Sequence, residues 1–69
     1  MAMKADAPYI TVRVMVQHKY VKYQAIKMWR TPEGSWAIVE TGYGQYARKE
    51  DAEIIGRYWA EEQGLEFRI

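Results

Sequence analysis

The chain of 69 residues is long enough for one domain and too short for two. It contains no cysteine, which excludes disulfides and thiolate metal sites, and its 49% hydrophobic content is typical of a globular protein. The net charge of +1 hides an asymmetry: residues 1–30 carry six basic residues and one acidic, whereas residues 31–69 carry four basic and eight acidic. No apolar run approaches the roughly 20 residues of a membrane span, so we expect a soluble cytoplasmic protein.

The first third of the chain predicts a leader and two strands. Residues 1–8 are expected to be a flexible leader, and residues 9–69 a single domain. The run 9–17, YITVRVMVQ, alternates β-branched residues with others and predicts a strand. The run 20–29, YVKYQAIKMW, predicts a second strand, with a bulge or a strong twist in its less regular second half. His18-Lys19 suits a two-residue turn poorly, so we expect a longer loop between the strands.

The remaining elements complete a β-β-β-α-β order. TPEG (31–34) predicts a turn, and SWAIVET (35–41) predicts a third strand. KEDAEIIGRYWAEEQG (49–64) predicts a helix with acidic residues in its first turn and Gly64 just past its end. LEFRI (65–69) alternates again and predicts a short final edge strand. The fold class is therefore α+β, a three-stranded antiparallel β-meander packed on one C-terminal α-helix with this edge strand added.

The helix sequence also predicts how it packs. A glycine inside a helix costs about 1 kcal/mol relative to alanine, so Gly56 indicates close packing on the sheet. The apolar spacing predicts a buried face that is marked by Ala52, Ile55, Tyr58 or Trp59, and Glu62.

No residue pattern indicates an enzyme, a metal site or a cofactor. The chain has one histidine and one serine, and His18 is predicted in a loop, away from any group that could form a nucleophilic constellation. One histidine without cysteine also makes zinc binding unexpected. The carboxylates cluster near the two ends of the predicted helix, which is typical of a solvated helix face: Glu50, Asp51, Glu53, Glu61 and Glu62.

The sheet face turned away from the helix is predicted to be uncovered, and it carries a mixture of basic, aromatic and methionine side chains. This mixture is typical of binding surfaces, although a simple solvated face is a third interpretation. The leading hypothesis is protein–protein recognition by Arg13, Met15, Tyr20, Lys22 and Met28, assisted by Tyr43. The alternative is nucleic-acid binding, with phosphates contacted by Arg13, Lys19, Lys22 and Arg30.

The partner expected from this surface is a protein, with nucleic acid as the alternative and no membrane. A second copy of the chain could also pair through this face or through an edge strand. By analogy of size, the domain is comparable to small phage proteins that act as accessory or inhibitory factors.

The segment ETGYGQY (40–46) raises the question of a phosphate-binding loop. The known glycine-rich loops require a longer glycine pattern between a strand and a helix start, so this interpretation fails. We expect a strand-to-helix bend, with Gly42 and Gly44 as pivots and Tyr43 at its tip.

The run 23–62 resembles the arm-site-binding domains at the N-termini of phage-type tyrosine recombinases. The similarity lies in the order of three strands and a helix, in the PEG turn at 32–34, and in the charged helix start KEDAE at 49–53. The resemblance implies a sheet that reads DNA, in line with the nucleic-acid alternative.

Overall fold

The computed structural model describes residues 7–42 and 44–69. The predicted leader therefore lies mostly outside the described residues, as does Tyr43. The described elements have the predicted order of three strands, a helix and a short strand, and the sheet order is β3-β2-β1-β4. The α+β prediction is confirmed.

Strands β1 (Tyr9–Gln17) and β2 (Tyr20–Arg30) form a long antiparallel hairpin. Val14 pairs with Tyr23, so the alternate valines of β1 share one face with the alternate residues of β2, as the sequence pattern predicts. Gln17 pairs with Tyr20, which leaves only two residues in the turn. The predicted longer loop is wrong. The alternation of side chains continues through both strands, so the strands stay paired up to the turn. His18 has a positive φ of 56°, a conformation that histidine adopts more readily than most residues.

Strand β3 (Trp36–Thr41) follows the predicted TPEG turn and pairs with β2. The Gly34 N–H donates to the Thr31 carbonyl at 2.8 Å, and Gly34 has a φ of 92°. The Thr31 N–H donates to the Ser35 carbonyl at 2.6 Å and closes the loop. This arrangement matches the three-residue hairpin loop in which a left-handed glycine ends the turn.

A bulge interrupts the pairing of β2 with β3 at the place where the sequence loses its alternation. Lys27 pairs with Glu40 and Met28 pairs with Ile38, so the extra residue is Val39, on β3. The register of β2 with β1 continues without a break to Met28. The register between β2 and β3 is thus irregular where a bulge was predicted, but the extra residue lies on the edge strand β3 and the predicted position on β2 is wrong.

Helix α1 (Lys49–Gln63) begins and ends close to the predicted bounds. Its first turn carries Glu50 and Asp51. The pKa of the Glu50 carboxyl is lowered, first by a backbone hydrogen bond at Glu50 and then by the hydrogen bond and positive charge of Arg48. At the other end Gly64 has a φ of 69°, and the Leu65 N–H donates to the Ala60 carbonyl at 2.8 Å. The left-handed glycine and this hydrogen bond form the glycine cap that ends many helices.

The buried face of α1 consists of small residues spaced four apart: Ala52, Gly56 and Ala60. The predicted face is only partly right, because Tyr58 is 67% exposed and Glu62 is exposed, whereas Trp59 is half-buried. The larger apolar residues suggested the wrong stripe because close approach to the sheet favours the smallest side chains. A Cβ on Gly56 would lie 2.6 Å from Cε1 of Phe67, which confirms the predicted close packing.

Strand β4 (Glu66–Phe67) lies parallel to β1 and forms the second edge of the sheet. The Arg68 N–H donates to the Ile10 carbonyl at 2.8 Å and extends this pairing. The helix therefore connects two edge strands, β3 and β4, and crosses the central hairpin between them.

The core is thin and lies at one end of the hairpin. Ile10 and Ala52 are fully buried, and Ala25 is nearly so. Further along the same face Val14 and Val16 are 56% and 70% exposed, because the hairpin extends past the start of α1. Among the described residues, no helix is long and apolar enough to cross a membrane.

Candidate binding surface on the open sheet face

The strand register places five of the six predicted protein-binding residues on the sheet face that α1 does not cover, namely Arg13, Met15, Tyr20, Lys22 and Met28, and the sixth, Tyr43, lies outside the described residues. We call this the open face. On it Arg13 lies opposite Gln24, Met15 opposite Lys22, and Gln17 opposite Tyr20. At the other end Met28 lies between Tyr9 on β1 and Ile38 on β3. Within residues 7–42 and 44–69, no helix or strand is stacked on this face.

The predicted protein-binding residues lie on one face but spread over most of its length. Tyr20, 68% exposed, is at the hairpin tip, with Met15 and Lys22 half-buried beside it. Met28 is eight residues from Tyr20 along β2, which corresponds to roughly 27 Å at the usual rise of a strand. The structure therefore brings Met15, Tyr20 and Lys22 together and leaves Met28 in a separate area.

Arg13 has a structural role in the middle of the open face. Its Nη2 and Nε donate to Oε1 of Gln24 at 2.8 and 3.2 Å, and Gln24 Nε2 donates to the Gly42 carbonyl at 3.4 Å. This network joins β1, β2 and the end of β3, and Gln24 is only 7% exposed. Part of the hydrogen-bonding capacity of Arg13 is therefore already used within the fold.

The predicted apolar patch on this face is smaller than the sequence suggests. Ile26 is only 4% exposed, although α1 lies on the other side of the sheet. It sits on the central strand between Thr11 and Thr41, so cross-strand neighbours flank it on both sides. Ile26 is therefore a core residue and unavailable to a partner.

A row of two aromatic rings with a guanidinium group at each end crosses the end of the open face away from the hairpin tip. The Tyr9 and Trp36 rings have centroids 5.2 Å apart with an interplanar angle of 59°. The guanidinium carbon of Arg68 lies 4.2 Å from the Tyr9 ring centroid, and that of Arg30 lies 5.8 Å from the Trp36 centroid. We call these four residues the stacked row. Rings and cations at such distances attract one another.

Sequence reasoning missed three members of the stacked row: Tyr9, Trp36 and Arg68. The alternation of β1 already places Tyr9 on the same face as Arg13, so that residue could have been found. Arg68 could not have been assigned, because its position depends on β4 pairing in parallel with β1. Arg30 was predicted as a phosphate contact and stands at this end, far from Lys19 in the hairpin turn. The alternative nucleic-acid set is therefore also divided.

The ETGYGQY segment does not simply leave the sheet. The Gly42 N–H donates to the Ala25 carbonyl at 2.7 Å, and Tyr46 and Tyr23 exchange two backbone hydrogen bonds of 2.7 and 2.8 Å. The chain thus returns to β2 before it enters α1. Only one of the two predicted pivots has a positive φ, namely Gly44 at 74°. Gly42 is instead favoured by close packing, since a Cβ there would lie 3.1 Å from the Ala25 carbonyl oxygen.

Replacing Gly44 by alanine tests this description of the loop. We expect Gly44→Ala to lower the free energy of unfolding by about 1–2 kcal/mol, because the left-handed conformation is costly for residues with a Cβ. Urea denaturation followed by circular dichroism would measure the change. Gln45→Ala, at an exposed position beside it, is the control and should have little effect. Equal denaturation midpoints for the two variants would contradict the assigned role of Gly44.

Charge in this protein is divided between the two layers. Helix α1 carries two basic and five acidic residues. The open face carries basic Arg13, Lys22, Arg30 and Arg68, while its carboxylate Glu66 lies 3.1 Å from Nε of Arg68. The asymmetry along the sequence therefore becomes a basic sheet face and an acidic helix layer.

The described residues show no grouping typical of catalysis by metal ions, since no three or more His, Asp or Glu side chains come together among them. Comparison of the chain with protein-family models, with curated proteins and with solved structures found no match. The surface described above is therefore the basis on which function is argued.

Proposed function

We propose that this chain is a small non-enzymatic binding protein that recognises a partner protein through the open face. It would act by occupying its partner, as an accessory or inhibitory factor does. The comparison with small phage proteins of this kind rests on size alone.

The observation that carries the proposal is an uncovered sheet face that mixes aromatic, apolar and basic side chains. Tyr20 is 68% exposed at the hairpin tip. At the other end of the face Ile38 is 41% exposed, and the stacked row beside it presents two rings and two guanidinium groups. Aromatic residues, methionine and arginine are the side chains enriched at protein interfaces. A matching partner would present apolar groups bordered by carboxylates.

The contacts that basic side chains of the open face already make within the fold favour a protein partner over a nucleic acid. Phosphate binding draws its affinity from many cations that are free to approach the backbone. Arg13 already donates to Gln24, and Arg68 already contacts Glu66. The acidic helix layer adds a repulsive field. The excess of cations over acids on the open face is the observation that favours the nucleic-acid alternative.

Capture of a partner with matched variants tests the proposal. Wild-type protein, Lys22→Glu and Lys49→Glu would be used as baits in a cell lysate, followed by mass spectrometry and by measurement of Kd with the captured partner. Both variants change the net charge equally, but Lys22 lies on the open face and Lys49 on α1. We expect Lys22→Glu to weaken binding by about tenfold and Lys49→Glu by less than about twofold.

Two results would contradict the proposal. A partner that binds both variants equally does not use the open face. A titration with duplex and single-stranded DNA in which affinity falls steeply as salt is raised, and in which Lys22→Glu abolishes binding, would favour the nucleic-acid alternative instead.

A further inference from the structure

A second concave surface lies on the helix side of the sheet, between β3 and the C-terminal half of α1. It is a groove of about 540 Å³ to which β3 contributes Glu40 and α1 contributes Tyr58, Trp59 and Glu62. It exists because α1 packs on β1, β2 and β4 and leaves β3 largely uncovered. A volume of this size is within the range of pockets that hold ligands or side chains.

The chemistry of the groove favours a cation. Its aromatic lining includes Tyr46, Tyr58 and Trp59, and its two charged lining residues are the carboxylates Glu40 and Glu62. Ring faces attract ammonium and guanidinium groups, and carboxylates nearby add to that attraction.

The protein itself already contains one cation held in this manner. Nζ of Lys27 lies 5.7 Å from the centroid of Trp59 and 3.2 Å from Oε1 of Glu40. The charge of Lys27 therefore balances that of Glu40. Within the described part of the chain no ion pair involves Glu62, so its carboxylate on the helix side of the groove is uncompensated.

The groove lies beside a strand edge that can pair. No strand among residues 7–42 and 44–69 pairs with the outer edge of β3, whose Ile38 and Val39 are 41% and 50% exposed. An extended segment that adds to such an edge forms backbone hydrogen bonds and points alternate side chains to each face of the sheet. Those on the helix side would enter the groove.

We propose that the groove between β3 and α1 binds an arginine or lysine side chain of an extended, basic segment of a partner protein that pairs with the edge of β3. A second copy of this chain is a poorer occupant, because the only charged residue in its own β3 is Glu40. Pairing of two β3 edges would bring carboxylates together and deliver no cation to the groove. This site is separate from the open face. The groove would take a positively charged group, whereas the basic open face would meet carboxylates.

The test uses synthetic peptides and nuclear magnetic resonance of the labelled protein. One peptide alternates arginine and threonine, and a second alternates glutamate and threonine. We expect the arginine peptide to shift the amide signals of Tyr46, Tyr58 and Glu62 and to leave those of Thr11 and Lys22 unchanged. The glutamate peptide should shift none of them.

Two charge reversals on neighbouring exposed helix residues provide the matched variants. Glu62 lines the groove and Glu61 does not. We expect Glu62→Lys to weaken binding of the arginine peptide by about tenfold. Glu61→Lys should weaken it by about twofold, since Glu61 acts on the peptide only through long-range charge. Tyr58→Ala, at a position that is 67% exposed, should also weaken binding while the dispersed spectrum of the folded protein is kept.

Several outcomes would overturn the proposal. Equal loss in Glu61→Lys and Glu62→Lys would mean that the acidic helix attracts the peptide without a site. Shifts confined to the open face, or equal binding of the glutamate peptide, would exclude the groove. Light scattering that detects a dimer abolished by Glu62→Lys would make a second copy the occupant.

Discussion

Replacing Ile10 by alanine is expected to unfold a large part of the population. Ile10 is fully buried beneath α1, and truncating such a side chain typically costs about 2–4 kcal/mol through lost burial and the cavity left behind. A domain of this size has a total stability of only roughly 3–5 kcal/mol, so the loss is comparable to the whole. Thermal unfolding measured by circular dichroism should show a Tm lowered by tens of degrees or no cooperative transition.

Val16→Ala is the control for this experiment. Val16 lies on the same strand and the same face as Ile10 but is 70% exposed, because the hairpin extends beyond the helix. We expect its effect to remain within about 0.5 kcal/mol, as for most surface substitutions. Ile10→Val should fall between the two, at about 1 kcal/mol. If Val16→Ala were as damaging as Ile10→Ala, the helix would cover the whole hairpin, contrary to the structure.

Gly56→Ala is expected to destabilise the protein although alanine is the better helix former. The propensity gain is about 1 kcal/mol. Against it, the added Cβ would lie 2.6 Å from Cε1 of Phe67, a separation that requires the ring or the helix to move. The ring is confined on another side by Arg57, whose guanidinium carbon lies 4.7 Å from the ring centroid. We expect a net loss of up to about 2 kcal/mol in urea denaturation, since overpacking typically costs about 1–3 kcal/mol and the propensity gain offsets about 1 kcal/mol of it.

A double-mutant cycle with Phe67→Leu isolates this contact. Leucine lacks the ring atoms that the new methyl group would meet, so Gly56→Ala should cost less, or even stabilise, when leucine stands at 67. The coupling energy is expected to be about 1 kcal/mol or more. Additive effects would show that Gly56 is present for a reason other than the approach of Phe67.

Local patterns in the sequence determined most of the fold. Alternation in 9–17 and 20–29 specified two strands and the residues that share each face, because the side-chain period of a strand is two. Gly34 and Gly64 marked a turn and a helix end, because both positions require a positive φ. The predicted protein-binding residues on β1 and β2 therefore lie on the face where they were expected, and Tyr43 lies outside the described residues.

The tertiary structure alone decided how those faces are used. Ile26 belongs to the uncovered face by its register but is buried by its cross-strand neighbours, and Arg13 is held by Gln24. Tyr46 returns to β2, whereas the loop composition alone suggested that the chain leaves the sheet at Gly42.

The stacked row and the groove beside β3 also depend on tertiary structure. Arg68 reaches Tyr9 only because β4 pairs with β1, which lies more than fifty residues earlier in the chain. The groove exists only because small residues direct α1 toward β1 and β4, away from β3. Periodicity and turn chemistry are local, so the sequence by itself determined the elements and their faces. Burial of a sheet face, pairing of β1 with β4 and close approach of α1 to the sheet all depend on residues far apart in the chain. Only the folded structure brings these residues together.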